Sequence, residues 1–477
     1  MIFRLLILII LAPSILFADI VRPSTVHEVF LKGTDYELHV FRIYGKKPGN
    51  KGLIVGGIQG DEPGGYLSAD MYVDTVLEKG DLIIIPRANF KSIILFNRGA
   101  DGDMNRRFID KKTQHLMDDV VDIIKKLMGE VDFFLHLHDG SGFYNPKYIN
   151  PLRNPNRWGQ SIIVDADKYV CGNNIINLKE IALNIIKKTN EKIENRQYHF
   201  QYFNTDTDNP NTKYKDMKKT ATYYALKNFC IPSFGLETSK NLPNNETKLL
   251  HKKYLIDNFL EHFDIVKSNH FEIFLPKPIL NYIIISLDNE TRIVQDKEIV
   301  NVKANQVLKI NNISSNYKRG LSCDILWFNG LNDGGIEYVI KNDTEIICRK
   351  DNFKIATITL KINREKLAGV NTNNKFLIHL NNEEKYIDNG ETITVKYGSV
   401  LKLINFNGNS NIPINLRGFV PPNAKFNDGD DKNIDIKIDN KTLIKRFAVE
   451  KNSNKYEVIA GTLNNILGRF YLIIDNN

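Results

Sequence analysis

The first half of the chain is punctuated by apolar runs too short to cross a membrane and too continuous to lie half-exposed. Gly52-Leu-Ile-Val-Gly-Gly-Ile58 is one, Asp81-Leu-Ile-Ile-Ile-Pro86 a second and Val131-Asp-Phe-Phe-Leu-His-Leu137 a third. Runs of this kind read as strands of a sheet covered on both faces. Patterns of helical period lie between them. Tyr66 to Leu77 carries Leu67, Met71, Val73, Val76 and Leu77, and Gln114 to Met128 carries Leu116, Val120, Val121, Ile124 and Leu127. Leu178 to Ile193 and Lys248 to Phe263 repeat the pattern. Strands alternating with helices make an α/β domain.

After about Ser268 the pattern changes. Ile279 to Leu287, Thr344 to Cys348, Ala356 to Ile362 and Val400 to Ile404 are short, β-branched runs bounded by Asn, Asp and Gly. They predict all-β modules, each a sandwich or small barrel. A chain of 477 residues has room for two or three domains. The expected division is 19–267 for the α/β domain, 268–351 for a small β module and 352–477 for an immunoglobulin-like sandwich. No internal repeat is apparent.

At the N-terminus, Arg4 precedes an apolar stretch from Leu5 to Phe17, and Ala18 offers a small residue at a cleavage point before Asp19. This is the form of a secretory signal over residues 1–18. No later apolar run is long enough for a membrane helix, so no integral span is expected after signal cleavage. Cys171, Cys230, Cys323 and Cys348 permit two disulfides in an exported chain, and three connectivities remain open. The net charge of +8 comes from scattered lysines, which does not indicate nucleic-acid binding.

Chemistry concentrates where the apolar runs end. Gly56-Gly-Ile-Gln59-Gly-Asp-Glu62-Pro-Gly-Gly65 sits on a strand-to-helix turn, and ligands of open α/β sheets bind at the carboxyl ends of strands. His136-Leu-His138-Asp139-Gly140 ends another run, and Phe234-Gly-Leu-Glu237-Thr238 a further one. A catalytic zinc keeps three protein ligands and an open position for water, and a further carboxylate must move the water's proton. Glu62 and His138 are conventional ligands, and Glu237 is available as the base. Period-two alternation puts His136 on the same side of its strand as His138, in a neighbouring shell or the pocket wall. The other histidines lack ligand spacing, so one metal ion is expected.

These elements together resemble the zinc metallocarboxypeptidases over about Lys51 to Ser239. That family pairs a His-x-x-Glu turn with a later histidine and a glutamate base, on a mixed sheet with helices on both faces. Asn97-Arg98 and Asp103-Met-Asn105-Arg106-Arg107-Phe108 look like its arginine and Asn-Arg elements, which grip a terminal carboxylate. Gln59 stands where the family normally has histidine, and its neutral amide oxygen is a poorer zinc donor. The exported peptidoglycan D,L-carboxypeptidases of curved Gram-negative bacteria share Gln-x-x-Glu, His-x-His-Asp-Gly and trailing β modules.

The resemblance implies a periplasmic enzyme that releases meso-diaminopimelate from the tripeptide stem of peptidoglycan and influences cell shape. Gln59, Glu62 and His138 would hold zinc, and Glu237 would be the base. Arg98, Asn105 and Arg106 would bind the substrate carboxylate, with Thr222, Trp158 and His136 lining the pocket and Arg107 structural. Two other readings stay open. One is a zinc amidoacylase or deacylase. The other is a non-catalytic cell-wall-binding protein with a degenerate metal site. The β modules would dock on the wall or a protein partner, or only orient the catalytic face.

Overall fold

The computed structural model describes residues 24–109, 115–269, 272–326, 328, 330–362, 374–422, 424, 426–439, 442–450, 453–462 and 465–475. The expected signal at 1–18 lies outside them. In the first domain the elements run β1 (Thr25–Phe30), β2 (Leu38–Tyr44), β3 (Lys47–Val55), α1 (Pro63–Tyr72), β4 (Leu77–Ile85), α2 (Phe90–Ile94) and α3 (Leu116–Met128). There follow β5 (Phe133–Gly140), β6 (Phe143–Tyr144), β7 (Arg153–Asn154), β8 (Ser161–Val164), β9 (Tyr169–Cys171), β10 (Asn174–Ile176) and α4 (Leu178–Asn190). The domain closes with β11 (Gln201–Asn204), α5 (Ala221–Phe229), β12 (Ser233–Ser239), α6 (Asn245–His262) and β13 (Val266–Lys267).

The main sheet has nine strands in the order β1-β2-β4-β3-β5-β12-β8-β11, with β13 paired to β4. Its centre, β4-β3-β5-β12, is parallel, and antiparallel pairings flank it. Period-two alternation sends Ile54, Leu135 and Leu236 into a core with α1, α4 and α6, while Leu53, Val55 and Phe134 face α3 and α5. The chain is therefore α/β with a mixed sheet covered on both faces. Helix α1 ends five residues short of the expected Leu77, which instead opens β4. Pairing of Leu77 with Lys267 of β13 overrides its helical spacing.

Cys171 bonds Cys230 in this domain, and Cys323 bonds Cys348 in the next, which selects one of the three connectivities. Among the described residues no helix is long and apolar enough to cross a membrane.

Two β-sandwiches follow. The first comprises β14 (Leu280–Leu287), β15 (Glu290–Val294), β16 (Ile299–Val302), β17 (Val307–Ser315), β18 (Leu321–Ile325), β19 (Glu337–Val339), β20 (Thr344–Lys350) and β21 (Phe353–Ile362). The second comprises β22 (Lys375–Leu380), β23 (Glu383–Asp388), β24 (Thr392–Lys396), β25 (Val400–Phe406), β26 (Ile414–Leu416), β27 (Ile436–Lys437), β28 (Lys455–Thr462) and β29 (Asn465–Asp475). The boundary expected at Asp351 falls inside a hairpin. Strand β21 pairs with β20 and β16, so the first sandwich runs to Ile362.

Contrary to the sequence reading, the two sandwiches repeat one another. Sheets β15-β14-β17-β19 and β16-β21-β20-β18 have the same order as β23-β22-β25-β27 and β24-β29-β28-β26. Among the described residues each has one parallel strand pair, in the same place, β16 with β21 and β24 with β29. Register shifts coincide as well, at Ile284/Ile285 and Leu377/Ile378, and at Cys348/Arg349 and Ala460/Gly461. Buried Asp333 accepts from the backbone N–H of Ile325 at 2.8 Å, and Asp431 accepts from that of Leu416 at 2.8 Å. The Ile414–Ala460 pair occupies the place of the Cys323–Cys348 disulfide.

Candidate active site

The turn after β3 brings Gln59 and Glu62 to the carboxyl edge of the sheet. Glu62 is the residue before Pro63, which opens α1 with its ring's fixed φ, and its side chain makes no capping bond to the helix. The glycines around it permit close approach. A Cβ at Gly60 would lie 2.0 Å from the Ser92 backbone, and one at Gly65 would lie 2.6 Å from the Leu137 carbonyl on β5. Helix α1 is thus pressed on the strand that carries His138.

Glu62 Oε2 lies 2.9 Å from His138 Nδ1 and accepts from the Asp139 N–H at 3.1 Å. His138 Nε2 lies 3.1 Å from His136 Nδ1, and the two rings meet edge to face. Either His138 nitrogen can carry the proton: on Nδ1 it would be donated to Glu62, and a metal bound at Nδ1 would require it on Nε2, facing His136 Nδ1. Burial, then the charges of Lys252 and Arg98, push His138 down to about 3, so the imidazole stays neutral as a ligand must be. Strand β12 runs parallel to β5 with Glu237 directly opposite His138. Glu237 Oε2 is buried without a hydrogen-bond partner among the described residues.

Gln59 is also fixed. Its amide Nε2 lies 3.0 and 3.2 Å from the two oxygens of Asp103. Burial opposes ionisation of Asp103, but the Gln59 amide and the charges of Arg98 and Arg106 hold its carboxyl below the usual range. A carboxylate only accepts, so the amide nitrogen must face Asp103 and the oxygen is turned away from it.

The site concentrates acid. Burial pushes Glu62 up to about 8 and Glu237 well above the usual range, with Glu62 adding to the latter. Buried Lys252 partly compensates. Its ammonium donates to the carbonyls of His138 and Leu236, tying β5 to β12, and burial lowers it to about 8. Asp139 accepts from the Gly64 N–H at 2.7 Å and from the Thr238 hydroxyl.

The structure brings Gln59, Glu62, His136, His138, Glu237 and Arg98 together. The Arg98 guanidinium spans Glu62, at 3.5 Å, and Asp103, at 3.1 Å. Asn105 turns its side-chain oxygen to the N–H of Ala221 at the start of α5, and Arg106 donates to the Asn105 carbonyl. Thr222 is buried beside Thr220 and hydrogen-bonds Asp165, while Trp158 packs on Phe203 and Tyr214. Arg107 is engaged by Asp118 of α3. Sequence reasoning missed Asp103, Lys240 and Lys252. Asp103 stood in the motif quoted for its Asn-Arg, but only tertiary contact shows it facing Gln59.

Among the described residues, no group of three His, Cys, Asp or Glu side chains is arranged to hold a metal. Glu62 and His138 offer two donors, and the Gln59 amide oxygen is a candidate third. The donor set fits a divalent cation on two counts. Adjacent buried carboxylates need a counter-charge, and the neutral imidazole and the turned amide oxygen both present lone pairs.

A parallel-centred sheet with Gln, Glu, His and Glu at its carboxyl edge, bordered by an arginine loop, is compatible with a metallo-hydrolase, and the family match gives the class. Residues 29–284, more than half of the chain, match the family described as carboxypeptidase controlling helical cell shape, catalytic, and the chain belongs to that family. The fold is similar to apo cell shape determinant Csd4 from Helicobacter pylori, at 22% identity and a TM-score of 0.52 over 92% of this chain and 100% of that one. Tripeptide-bound Csd4 gives 23%, 0.51, 90% and 96%, and the mDAP-bound form of that D,L-carboxypeptidase gives 23%, 0.51, 90% and 97%. No curated protein matches the sequence.

Proposed function

We propose that the protein is a periplasmic, zinc-dependent D,L-carboxypeptidase that trims the tripeptide stem of peptidoglycan to a dipeptide, releasing meso-diaminopimelate. The observation that carries this is the contact of Glu62 with His138, opposite a Glu237 whose Oε2 has no hydrogen-bond partner among the described residues, with Gln59 tied to Glu62 through Asp103 and Arg98. Zinc bound by these three would supply an acidified water and polarise the scissile carbonyl. Arg98, Asn105 and Arg106 grip the terminal carboxylate of the leaving residue. Glu237 takes the proton of the attacking water and passes it to the leaving amine, a role that its raised pKa suits. Csd4, similar in fold, has been solved with tripeptide and with mDAP, and this supports the substrate.

The test is a mass-spectrometric assay of the purified protein on muramyl tripeptide, tetrapeptide and pentapeptide, with zinc and after chelation. Loss of diaminopimelate from the tripeptide alone, abolished by chelator, is the expected result. No product with zinc supplied would favour the non-catalytic wall-binding reading.

A further inference from the structure

Glu62 is bordered by two cations that come from opposite sides. Arg98 follows α2, beyond the β4 side of the site, and lies 3.5 Å from Glu62 Oε1. Lys240 directly follows β12, three residues after Glu237, and its ammonium lies 4.0 Å from the same oxygen. In the order β4-β3-β5-β12 these two cations stand at the two ends of the row that carries the site. Their layers differ as well. Glu237 and Ser239 alternate with Leu236, which packs towards α6, and Lys240 leads the chain into α6. Arg98, Asn105 and Arg106 lie on the segment leading to α3, in the other layer.

The proposed reaction uses the arginine side for the leaving residue and gives Lys240 no task. Lys240 is one-third exposed, held in place by Asp61 at 2.5 Å and by its own N–H on the Gly140 carbonyl. On the acyl side of the scissile bond the stem peptide carries an unusual group. Its glutamate is linked through the γ-carboxyl, so its α-carboxylate is free and close to the bond that breaks. An ordinary α-linked peptide has no charge there.

We propose that Lys240, oriented by Asp61, is a specificity residue that binds the free α-carboxylate of the γ-linked glutamate on the acyl side of the scissile bond. The inference rests on the carboxypeptidase reading above and adds how the enzyme recognises the residue it retains. A charge-assisted hydrogen bond of this kind discriminates by about tenfold or more between a carboxylate and a neutral group of equal shape.

The experiment compares two tripeptides that differ only at that position, the free α-carboxylate and its α-carboxamide. Zinc-loaded full-length protein and its Lys240→Met and Lys240→Arg variants are assayed for kcat/KM on each. The wild type should prefer the carboxylate by about tenfold or more. Lys240→Met should bring the two substrates to within about twofold of one another, through loss on the carboxylate, and Lys240→Arg should keep most of the preference. Equal losses on both substrates in Lys240→Met would show a merely structural or general electrostatic role and overturn the inference, as would a wild type indifferent to the carboxylate. A wild type that cleaves neither peptide overturns the carboxypeptidase reading itself, and the inference with it.

Discussion

Replacing Asp351 by alanine removes the carboxylate partner of buried Lys350 and one of the two carboxylates that hold buried Arg87 at the junction of the first two domains. Arg87, which follows β4, is 8% exposed and gives Nε to Asp351 Oδ1 at 2.5 Å and NH1 to Asp70 of α1 at 2.8 Å. Lys350, 3% exposed, also pairs with Asp351. Arg319 of the first sandwich reaches Asp70 at 2.8 Å and Asp74 at 2.7 Å. Removing one partner from a buried pair costs about 3–5 kcal/mol, because the partner left behind is desolvated and uncompensated. With a urea m-value of about 1–3 kcal/mol/M, the unfolding midpoint should fall by about 1 M or more. The comparison is the triple variant Arg87→Met, Lys350→Met, Asp351→Leu, which removes the charges together and leaves Asp70 paired with Arg319. It should cost far less than the single change. Urea unfolding followed by circular dichroism reads both. A single variant costing under about 1 kcal/mol, or a triple variant costing as much as the single, would refute the reasoning.

Acid should weaken the same junction. Burial would raise the Asp70 carboxyl, but Arg87 and Arg319 outweigh it and hold it well below the usual range. Its contribution is complete above about pH 4 and is lost as the pH falls further, so Asp70→Asn should flatten the decline of urea midpoint below that pH. Glu237→Gln should abolish turnover in the muropeptide assay while zinc uptake, measured by chelator competition, persists. Gly65→Ala would press a methyl on the Leu137 carbonyl and lift α1 from β5; the variant should lose thermal stability and zinc affinity together. Serine at both Cys323 and Cys348 should cost about 3 kcal/mol in urea unfolding. Isoleucine at 323 with alanine at 348 copies the pair in the second sandwich and should recover part of that loss.

The residues at the strand ends were legible because an apolar run reveals where it stops. Gln59, Glu62, His138 and Glu237 each lie at or just beyond such a stop, and the parallel centre of the sheet delivers them to one edge. Contacts between distant segments left no such trace. Asp103 fixes the amide of Gln59 from 44 residues away, and Lys252 reaches under His138 from α6. The repeat escaped for a related reason. What it preserves is strand order, two register shifts and a buried aspartate, while identity at matched positions is loose, as with Ile310 and Leu403 or Cys323 and Ile414. The boundary at Asp351 failed because the turn there, with Asp351 at a positive φ, joins two strands of one sheet rather than two domains.

The repeat bears on what the first sandwich does for the site. Its ion pairs end on Asp70 and Asp74, at and just beyond the last turn of α1, while the first turn of that helix is fixed by Gly64 and Gly65 against β5. Helix α1 is therefore held at both ends, and Glu62 sits at the end nearest β5. The same sandwich sends Leu331 onto Tyr66, Phe90, Ile93 and Ile94, a cluster shared by α1 and α2, and its backbone N–H to Asp35 at 2.7 Å. Arg98 lies four residues beyond α2. Both elements that place Glu62 and Arg98 thus pack against the first sandwich. The second sandwich carries the same fold but not the arginine at Arg319 or the lysine–aspartate pair that closes β20. The first copy has a brace that its twin lacks, and bracing the turn that supplies Glu62 gives a catalytic reason for keeping that copy beside the α/β domain.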